Sequence, residues 1–174
     1  MKTILTSLVL VSLGLAQAAD LSKFGEGDAK LRERLAKIQD NPAPEISLDN
    51  WINSDAKTLA DLKGKVVVLD FWATWCGPCI ASIPHTNEMM EKYGDDVVII
   101  GVCHPRGAEK MKAMVESKKI QYPVAVDTDG AAAKAYAVNG FPDYYIIGRD
   151  GKVLLADCGN GNVEKAIDAL LESE

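Results

Sequence analysis

Two cysteines separated by two residues, Cys76 and Cys79, carry the most reactive side chains of this 174-residue sequence. They stand where an apolar run, residues 66–71, passes into a segment, residues 76–93, that the pattern predicts to be a helix. The unpaired N–H groups and the dipole at a helix N-terminus favour negative charge, so a thiolate at Cys76 is stabilised there. Because the thiolate is the attacking species in disulfide exchange, this arrangement predicts thiol–disulfide chemistry.

The second cysteine completes a reversible couple. Cys79 lies one helical turn after Cys76 on the same face, so the two sulfurs can join and separate with little backbone movement. Pro78 suits the first turn of a helix, because its missing N–H has no partner there. We expect Cys76 to be the more exposed, attacking thiol, with a pKa below the free value of about 8.5, and Cys79 to resolve the mixed disulfide.

Two other roles for the cysteine pair stay open. A C-x-x-C pair can be half of a zinc site, but such sites usually hold a second close pair of ligands, and Cys103 and Cys158 are far apart in the sequence. The pair could also be a static disulfide in a redox-silent interaction module, although a disulfide at an exposed helix N-terminus is easily reduced. The sequence favours the redox role over both.

The residues around the cysteines resemble the thioredoxin superfamily. Asp70 falls six residues before the first cysteine, like the buried acid of thioredoxins, and Pro84 falls five residues after the second, like their helix-kinking proline. Phe141 and Pro142 precede an apolar strand, as the cis-proline of the family does. This resemblance implies a cis bond before Pro142 and a catalytic role for that proline.

Within that superfamily, residues 43–174 resemble the exported TlpA-like group. Residues 61–79, DLKGKVVVLDFWATWCGPC, match its characteristic segment, residues 108–127 occupy the place of its extra helix and strand, and GRDGKV resembles its terminal hairpin. The resemblance implies a periplasmic or secreted reductase or oxidase of protein thiols that needs no cofactor and no metal. Its partners would be protein thiols or disulfides and an upstream redox protein. The Gly77-Pro78 pair favours the reducing direction, by resemblance to thioredoxin.

Three positions depart from the patterns of these relatives. Ser82 stands where many TlpA-like proteins carry a glutamate, and Asp143 follows the proline where a threonine is common. The strand predicted over residues 97–102 lacks the lysine that neighbours the buried acid in thioredoxins. These differences bear on redox potential and substrate choice rather than on the class of reaction.

Asp70 is predicted to accept the proton of Cys79 during resolution. Strand alternation places it on one sheet face with Val66 and Val68, where an unpaired carboxylate is costly. Its pKa should therefore lie well above the usual value of about 3.9. Residues predicted to contact a docked partner are Trp75, Gly77, Pro78 and Phe141.

The remaining cysteines are not expected to form a second disulfide. The predicted order of strands across the sheet is residues 97–102, then 66–71, then 144–147, then 153–157. On this order Cys103 and Cys158 are three strand spacings apart, roughly 14 Å, whereas a bridge needs Cα atoms within about 7 Å. The sequence favours a role as small buried side chains for both. A backup or regulatory thiol stays open for Cys103, which ends the strand beside the one that leads to Cys76.

The elements that must position these residues alternate between strand and helix. We predict strands at residues 46–51, 58–59, 66–71, 97–102, 122–126, 144–147 and 153–156, and helices at residues 76–93, 108–119, 130–137 and 163–171. The fold class is therefore α/β, with a partly parallel sheet that has one antiparallel edge. Together with the resemblance, this predicts a thioredoxin fold whose central mixed sheet is flanked by helices and carries a TlpA-like helix–strand insertion.

Three segments divide the chain. Lys2, an apolar stretch and the run Ala16-Gln17-Ala18-Ala19 predict a signal peptide over residues 1–18, which implies export. Residues 19–42 form a leader or short amphipathic helix, and residues 43–174 the domain. The net charge of −6 becomes −7 without that peptide and its one lysine, which argues against nucleic acid and anionic membranes as partners. We expect a monomer with no membrane span once the peptide is cleaved.

Overall fold

The fold is known from a computed structural model, which describes residues 19–173. The predicted signal peptide, residues 1–18, lies outside the described residues. The helices are α1 (Ala29–Leu35), α2 (Gly77–Tyr93), α3 (Met111–Lys118), α4 (Ala131–Ala135) and α5 (Val163–Glu172). The strands are β1 (Asp49–Ile52), β2 (Val66–Trp72), β3 (Val97–Cys103), β4 (Val124–Val126), β5 (Asp143–Ile147) and β6 (Val153–Cys158).

The six strands form one mixed sheet in the order β1-β4-β3-β2-β5-β6. The central strands β4, β3 and β2 run parallel, and both flanks are antiparallel, through the β1–β4 pair and the β2–β5–β6 ladder. The prediction of a single antiparallel edge is therefore wrong. Strand β1, early in the chain, pairs antiparallel with β4 and forms a second antiparallel edge. The predicted order of β3, β2, β5 and β6 is confirmed.

Helices cover both faces of the sheet. The first face carries a core to which α2, α3 and α5 contribute, with Ile83, Met111 and Ile167 among its buried residues. The second face packs against α1 and α4 through Leu35 and Ala132. Strand β2 is buried along its whole length, as a strand covered on both faces should be. The α/β fold class and the flanking helices are as predicted.

The leader, residues 19–42, packs on the domain. Asp28 caps α1 by accepting the Leu31 N–H at 2.8 Å, and Leu35 is buried in the second core. The short amphipathic helix predicted in this segment is therefore present. Within residues 19–173, no helix has the length and apolar character needed to cross a membrane.

The prediction of a strand at residues 58–59 is wrong. Thr58 and Asp61 bind each other reciprocally: the Thr58 N–H and hydroxyl donate to the Asp61 carboxylate, and the Asp61 N–H donates to the Thr58 hydroxyl. These bonds start a 3₁₀ turn, Ala60–Leu62, because they satisfy backbone groups that a strand would leave for a neighbour. The other early strand begins later than predicted, at Asp49.

Candidate active site

Cys76 and Cys79 form a disulfide at the N-terminus of α2. Cys76 is the N-cap residue: its Sγ accepts the Cys79 N–H at 3.2 Å, and its carbonyl accepts the Ile80 N–H at 3.1 Å. Gly77 and Pro78 build the first turn. The cap sulfur therefore already receives an N–H at the positive end of the helix, an environment that stabilises a thiolate.

The two cysteines are covered equally. Each is 5% exposed, so the prediction that Cys76 is the more exposed residue is wrong for the disulfide form. The bond draws the Cys76 sulfur over the first helical turn, beside the Cys79 N–H, and both side chains lie in the same hydrophobic core. The assignment of Cys76 as the attacking thiol stays a prediction.

Asp70 is a buried acid in β2, as expected from the sequence. It is 3% exposed, and its Oδ1 is among the buried polar atoms without a hydrogen-bond partner in residues 19–173. Burial raises the pKa of the Asp70 carboxyl to about 7. The carboxyl can thus take up or release a proton close to neutral pH.

Strand β3, next to Asp70, offers no cationic side chain at the position that faces the carboxyl. Gly101 stands opposite it in β3, and a Cβ at that position would approach the Trp72 indole nitrogen to 3.0 Å. Two phenols lie within its electrostatic reach: the pKa values of Tyr122 and Tyr144 are raised, first by burial and then by the charge of Asp70. A Cβ at Gly101 would also meet Val124 Cγ1 at 2.8 Å and the Tyr122 ring at 3.1 Å, so packed side chains leave no room for a side chain there.

The peptide bond between Phe141 and Pro142 is cis, as predicted. Strand β5 begins immediately after it and pairs with β2, so that Asp143 faces Phe71. Phe141 packs against the core that contains both cysteines, and its ring lies 5.8 Å from that of Trp75. The structure thus brings the proline loop next to the residue that precedes Cys76.

Trp75 is the exposed large hydrophobic side chain of the described chain, at 47%. Its indole N–H donates to the Arg106 carbonyl at 2.9 Å, and the Arg106 guanidinium lies 4.4 Å from the ring centre. The His104 ring contacts both Trp75, at 5.9 Å, and Phe141, at 5.4 Å. Trp75, His104 and Phe141 therefore form a continuous surface, here called the aromatic patch.

Residues 40–156 match the sequence profile of the AhpC/TSA family. This chain belongs to the AhpC/TSA family. The match covers more than half of the chain, including β2, the cysteine pair, α2 and the proline loop.

Two relatives of this AhpC/TSA protein carry names from thiol–disulfide and thioredoxin-like proteins. Thiol-disulfide oxidoreductase ResA of Bacillus thuringiensis subsp. konkukian is 39% identical over 97 residues, which cover 55% of this chain and 56% of ResA. Thioredoxin-like protein YneN of Bacillus subtilis is 30% identical over 126 residues, covering 71% of this chain and 72% of YneN. The chain thus spans a little over half the length of the ResA relative.

A solved structure shows the same fold. The pneumococcal exposed lipoprotein thioredoxin Etrx1 of Streptococcus pneumoniae strain TIGR4 superposes with a TM-score of 0.65 at 30% identity, over 75% of this chain and 100% of that chain. The predicted thioredoxin fold and the resemblance to the TlpA-like group are confirmed.

The other two cysteines of this family member are unpaired and buried, as expected. Cys103 ends β3 and Cys158 ends β6, with β2 and β5 between them. Burial is the main cause that raises the pKa of each thiol to about 12, so neither forms a thiolate near neutral pH. In the described part of the chain, no group of three or more His, Cys, Asp or Glu side chains could hold a metal ion.

Ser82 and Asp143, the departures from the TlpA-like pattern, lie in different surroundings. The Ser82 hydroxyl is within 3.0 Å of both the Pro78 carbonyl and the Asn160 Oδ1, so a hydrogen-bonded hydroxyl replaces an acid. Asp143 is 3% exposed and directly follows the cis bond. Its position beside the proline loop was clear from the sequence, but its burial was not.

Two residues near the site were missed in the sequence. The guanidinium of Arg106 lies over the Trp75 ring. This residue could have been identified from its place in the Pro105-Arg106-Gly107 turn after β3, because loops at the carboxyl ends of parallel strands often carry function. Asp157 lines a pocket with Asp143, and the signal was a carboxylate at the end of an apolar strand.

Proposed function

We propose that this chain is an extracytoplasmic thiol–disulfide oxidoreductase that exchanges disulfides with protein partners through Cys76 and Cys79. The observation that carries the proposal is the Cys76–Cys79 disulfide at the start of α2, with the unpaired, buried Asp70 in the strand that leads to it. The name of the ResA relative, a thiol-disulfide oxidoreductase, supports the same chemistry over the aligned part.

The reaction starts from the reduced chain. The Cys76 thiolate, held at the helix N-terminus, attacks one sulfur of a partner disulfide. A bond forms between Cys76 and that sulfur, the partner's own S–S bond breaks, and the other partner sulfur leaves as a thiolate. The product of this step is a mixed disulfide between Cys76 and the partner.

Resolution requires the second cysteine and a proton acceptor. The Cys79 thiol passes its proton to the Asp70 carboxylate, and the resulting Cys79 thiolate attacks the Cys76 sulfur. The mixed disulfide breaks, the second partner sulfur leaves as a thiolate, and the Cys76–Cys79 bond forms. The partner has gained two electrons, and an upstream reductase returns two electrons to this chain.

Docking of the partner would use the surface around the disulfide. We propose that an extended partner segment pairs with the backbone at Phe141 and Pro142, in the manner of an added strand. Trp75, Gly77 and Pro78 would form the opposite wall. Contacts within the aromatic patch support this, because they join the proline loop to the cysteine loop.

The proposal also includes the compartment in which the protein acts and the direction of electron transfer. The pattern of residues 1–18 supports export, and the similarity to Etrx1, an exposed lipoprotein, agrees with a site outside the cytoplasm. The Gly77-Pro78 pair, by resemblance to thioredoxin, favours reduction of the partner. We propose that the exported chain acts as a monomer.

Insulin reduction tests the proposal against its alternative, a redox-silent interaction module. With dithiothreitol as electron donor, the chain should speed insulin precipitation well beyond dithiothreitol alone, because a stabilised thiolate attacks faster. The control is the same chain with both active-site thiols carboxymethylated after reduction. A wild-type rate equal to that of the alkylated chain would support the redox-silent module instead.

A further inference from the structure

The loop that follows β3, residues 104–107, is tied to the loop that leads into the cysteine pair. The His104 N–H donates to the Trp72 carbonyl at 2.8 Å, and the Thr74 hydroxyl donates to the Gly107 carbonyl at 2.8 Å. Gly107 has a φ of +87°, and a Cβ there would approach the Thr74 Oγ1 to 2.6 Å. The close approach of the two loops therefore requires glycine at this position.

The same loop holds Arg106 against Trp75. The Arg106 N–H donates to His104 Nδ1 at 3.0 Å, and the Arg106 carbonyl accepts the Trp75 indole N–H at 2.9 Å. The guanidinium carbon lies 4.4 Å from the centre of the Trp75 ring. The backbone and the side chain of Arg106 are thus both fixed beside the residue that precedes Cys76.

Arg106 differs from the other arginines in what its guanidinium contacts. The guanidinium groups of Arg32 and Arg149 pair with carboxylates, and that of Arg34 donates to a carbonyl. The guanidinium of Arg106 contacts the Trp75 ring and donates to no acceptor in the described part of the chain. Because a guanidinium carries several N–H donors, those of Arg106 are available to a ligand.

A carboxylate is the ligand that suits these donors. The planar guanidinium can donate two parallel hydrogen bonds to the two oxygens of a carboxylate. Arg106 is exposed, so a ligand can reach it, and its contact with Trp75 already restricts its side chain, so less conformational freedom is lost on binding. In a protein partner, the matching groups are the side chains of aspartate and glutamate.

We propose that Arg106 is a specificity-determining residue that binds an aspartate or glutamate side chain of the partner segment docked beside Cys76. The inference rests on the proposed function, since the partner is a protein segment presented to that cysteine. The aromatic patch joins Arg106 to the docking place, because the His104 ring contacts both Trp75 and Phe141. The substrate class is then a protein disulfide with an acidic residue close to the reacting cysteine.

Peptide binding tests this role without any redox step. Hexapeptides that carry serine in place of cysteine, with glutamate or glutamine placed in turn at each other position, are titrated into the oxidised chain. Heteronuclear NMR follows binding through the Trp75 indole N–H and the Arg106 Nε–H. We expect one position at which glutamate binds about 3- to 10-fold more tightly than glutamine, as for an exposed bidentate pair. Raising the salt from about 20 to about 500 mM should remove most of that preference, because both charges are exposed to solvent.

Arg106→Gln should abolish the glutamate preference, because glutamine keeps a planar polar group near Trp75 but carries no charge. The glutamine peptide should bind this variant as it binds the wild type. Arg106→Lys should keep part of the preference, since its charge remains but its donors no longer form a fork. Lys110→Gln is the matched control: it removes an exposed positive charge from the 3₁₀ turn that follows the loop, and it should keep the full preference.

A role in which Arg106 only holds Trp75 in place predicts a different result, because Arg106→Gln would then weaken the glutamate and glutamine peptides equally. That result would overturn the inference, and so would a preference that survives in Arg106→Gln or is lost equally in Lys110→Gln. The inference also fails if wild type binds no peptide, or binds glutamate and glutamine equally at every position. Failure of insulin reduction with the preference intact would overturn the proposed function alone.

Discussion

Cys76→Ser should lower the rate of insulin reduction to that of dithiothreitol alone. The change removes the sulfur that caps α2, and a serine hydroxyl does not ionise near neutral pH, so the attacking thiolate is lost. The measurement is insulin precipitation under steady dithiothreitol. Cys103→Ala is the matched control, since it removes a buried thiol outside the pair and should retain the wild-type rate. Retained turnover in Cys76→Ser would reassign the nucleophile.

Substitution of the second cysteine, Cys79→Ser, should stop the reaction at the mixed disulfide. Without the resolving thiol, the bond between Cys76 and the partner persists, and covalent adducts should accumulate when the reduced variant meets a protein disulfide. Non-reducing electrophoresis with mass spectrometry identifies them. Adducts on Cys79 in the Cys76→Ser chain, and none in the Cys79→Ser chain, would reverse the two roles.

Asp70→Asn should slow resolution of the mixed disulfide at neutral pH and leave alkylation of Cys76 nearly unchanged. The carboxyl accepts a proton only when it is ionised, so the wild-type resolution rate should rise as the pH passes through about 7, the pKa of buried Asp70. That rise should be missing in Asp70→Asn. Stopped-flow fluorescence measures resolution, and iodoacetamide trapping measures the reactivity of Cys76. Identical pH profiles of resolution would remove Asp70 from the mechanism.

The same substitution should stabilise the fold, in a way that depends on pH. The Asp70 pKa is raised from 3.8 to about 7 in the folded chain, so the folded state binds the proton more tightly than the unfolded state. Stability is therefore greatest below the unfolded pKa and falls as the pH rises to about 7. A shift of about three units corresponds to about 4 kcal/mol, and the cost of burying the new amide offsets part of it.

We therefore expect Asp70→Asn to raise the free energy of unfolding by about 1–3 kcal/mol at pH 8 and by little at pH 5. Urea denaturation at the two pH values measures this. A variant that is clearly less stable than wild type at pH 8 would show that Asp70 is not an uncompensated charge.

The sequence was informative where local chemistry decides the structure. Pro78 at the start and Gly94 at the end mark α2, and both bounds agree with the prediction to within one residue. The apolar run of β2 and the turn before β6 likewise define their elements. Asp70 could be recognised as buried because it interrupts that apolar run and follows the alternation of the strand.

Contacts between distant segments could not be predicted in this way. The pairing of β1 with β4 joins segments about 75 residues apart in the sequence, and no local pattern of residues specifies which strand lies beside β1. The carboxyl pair of Asp143 and Asp157 depends on the β5–β6 ladder and on the leader that covers it. The equal burial of the cysteines depends on the closed disulfide, which the pattern of residue types does not distinguish from the open dithiol.

The reduction potential of the Cys76–Cys79 couple tests the central claim most directly. The oxidised chain is equilibrated with dithiothreitol buffers, and the alkylated thiols are counted by mass, with Cys103 and Cys158 as a constant background. We predict a value close to −270 mV, that of a thioredoxin-like reductase. A value near −120 mV would contradict the reducing direction, and a disulfide that stays closed below about −300 mV would contradict the redox role itself.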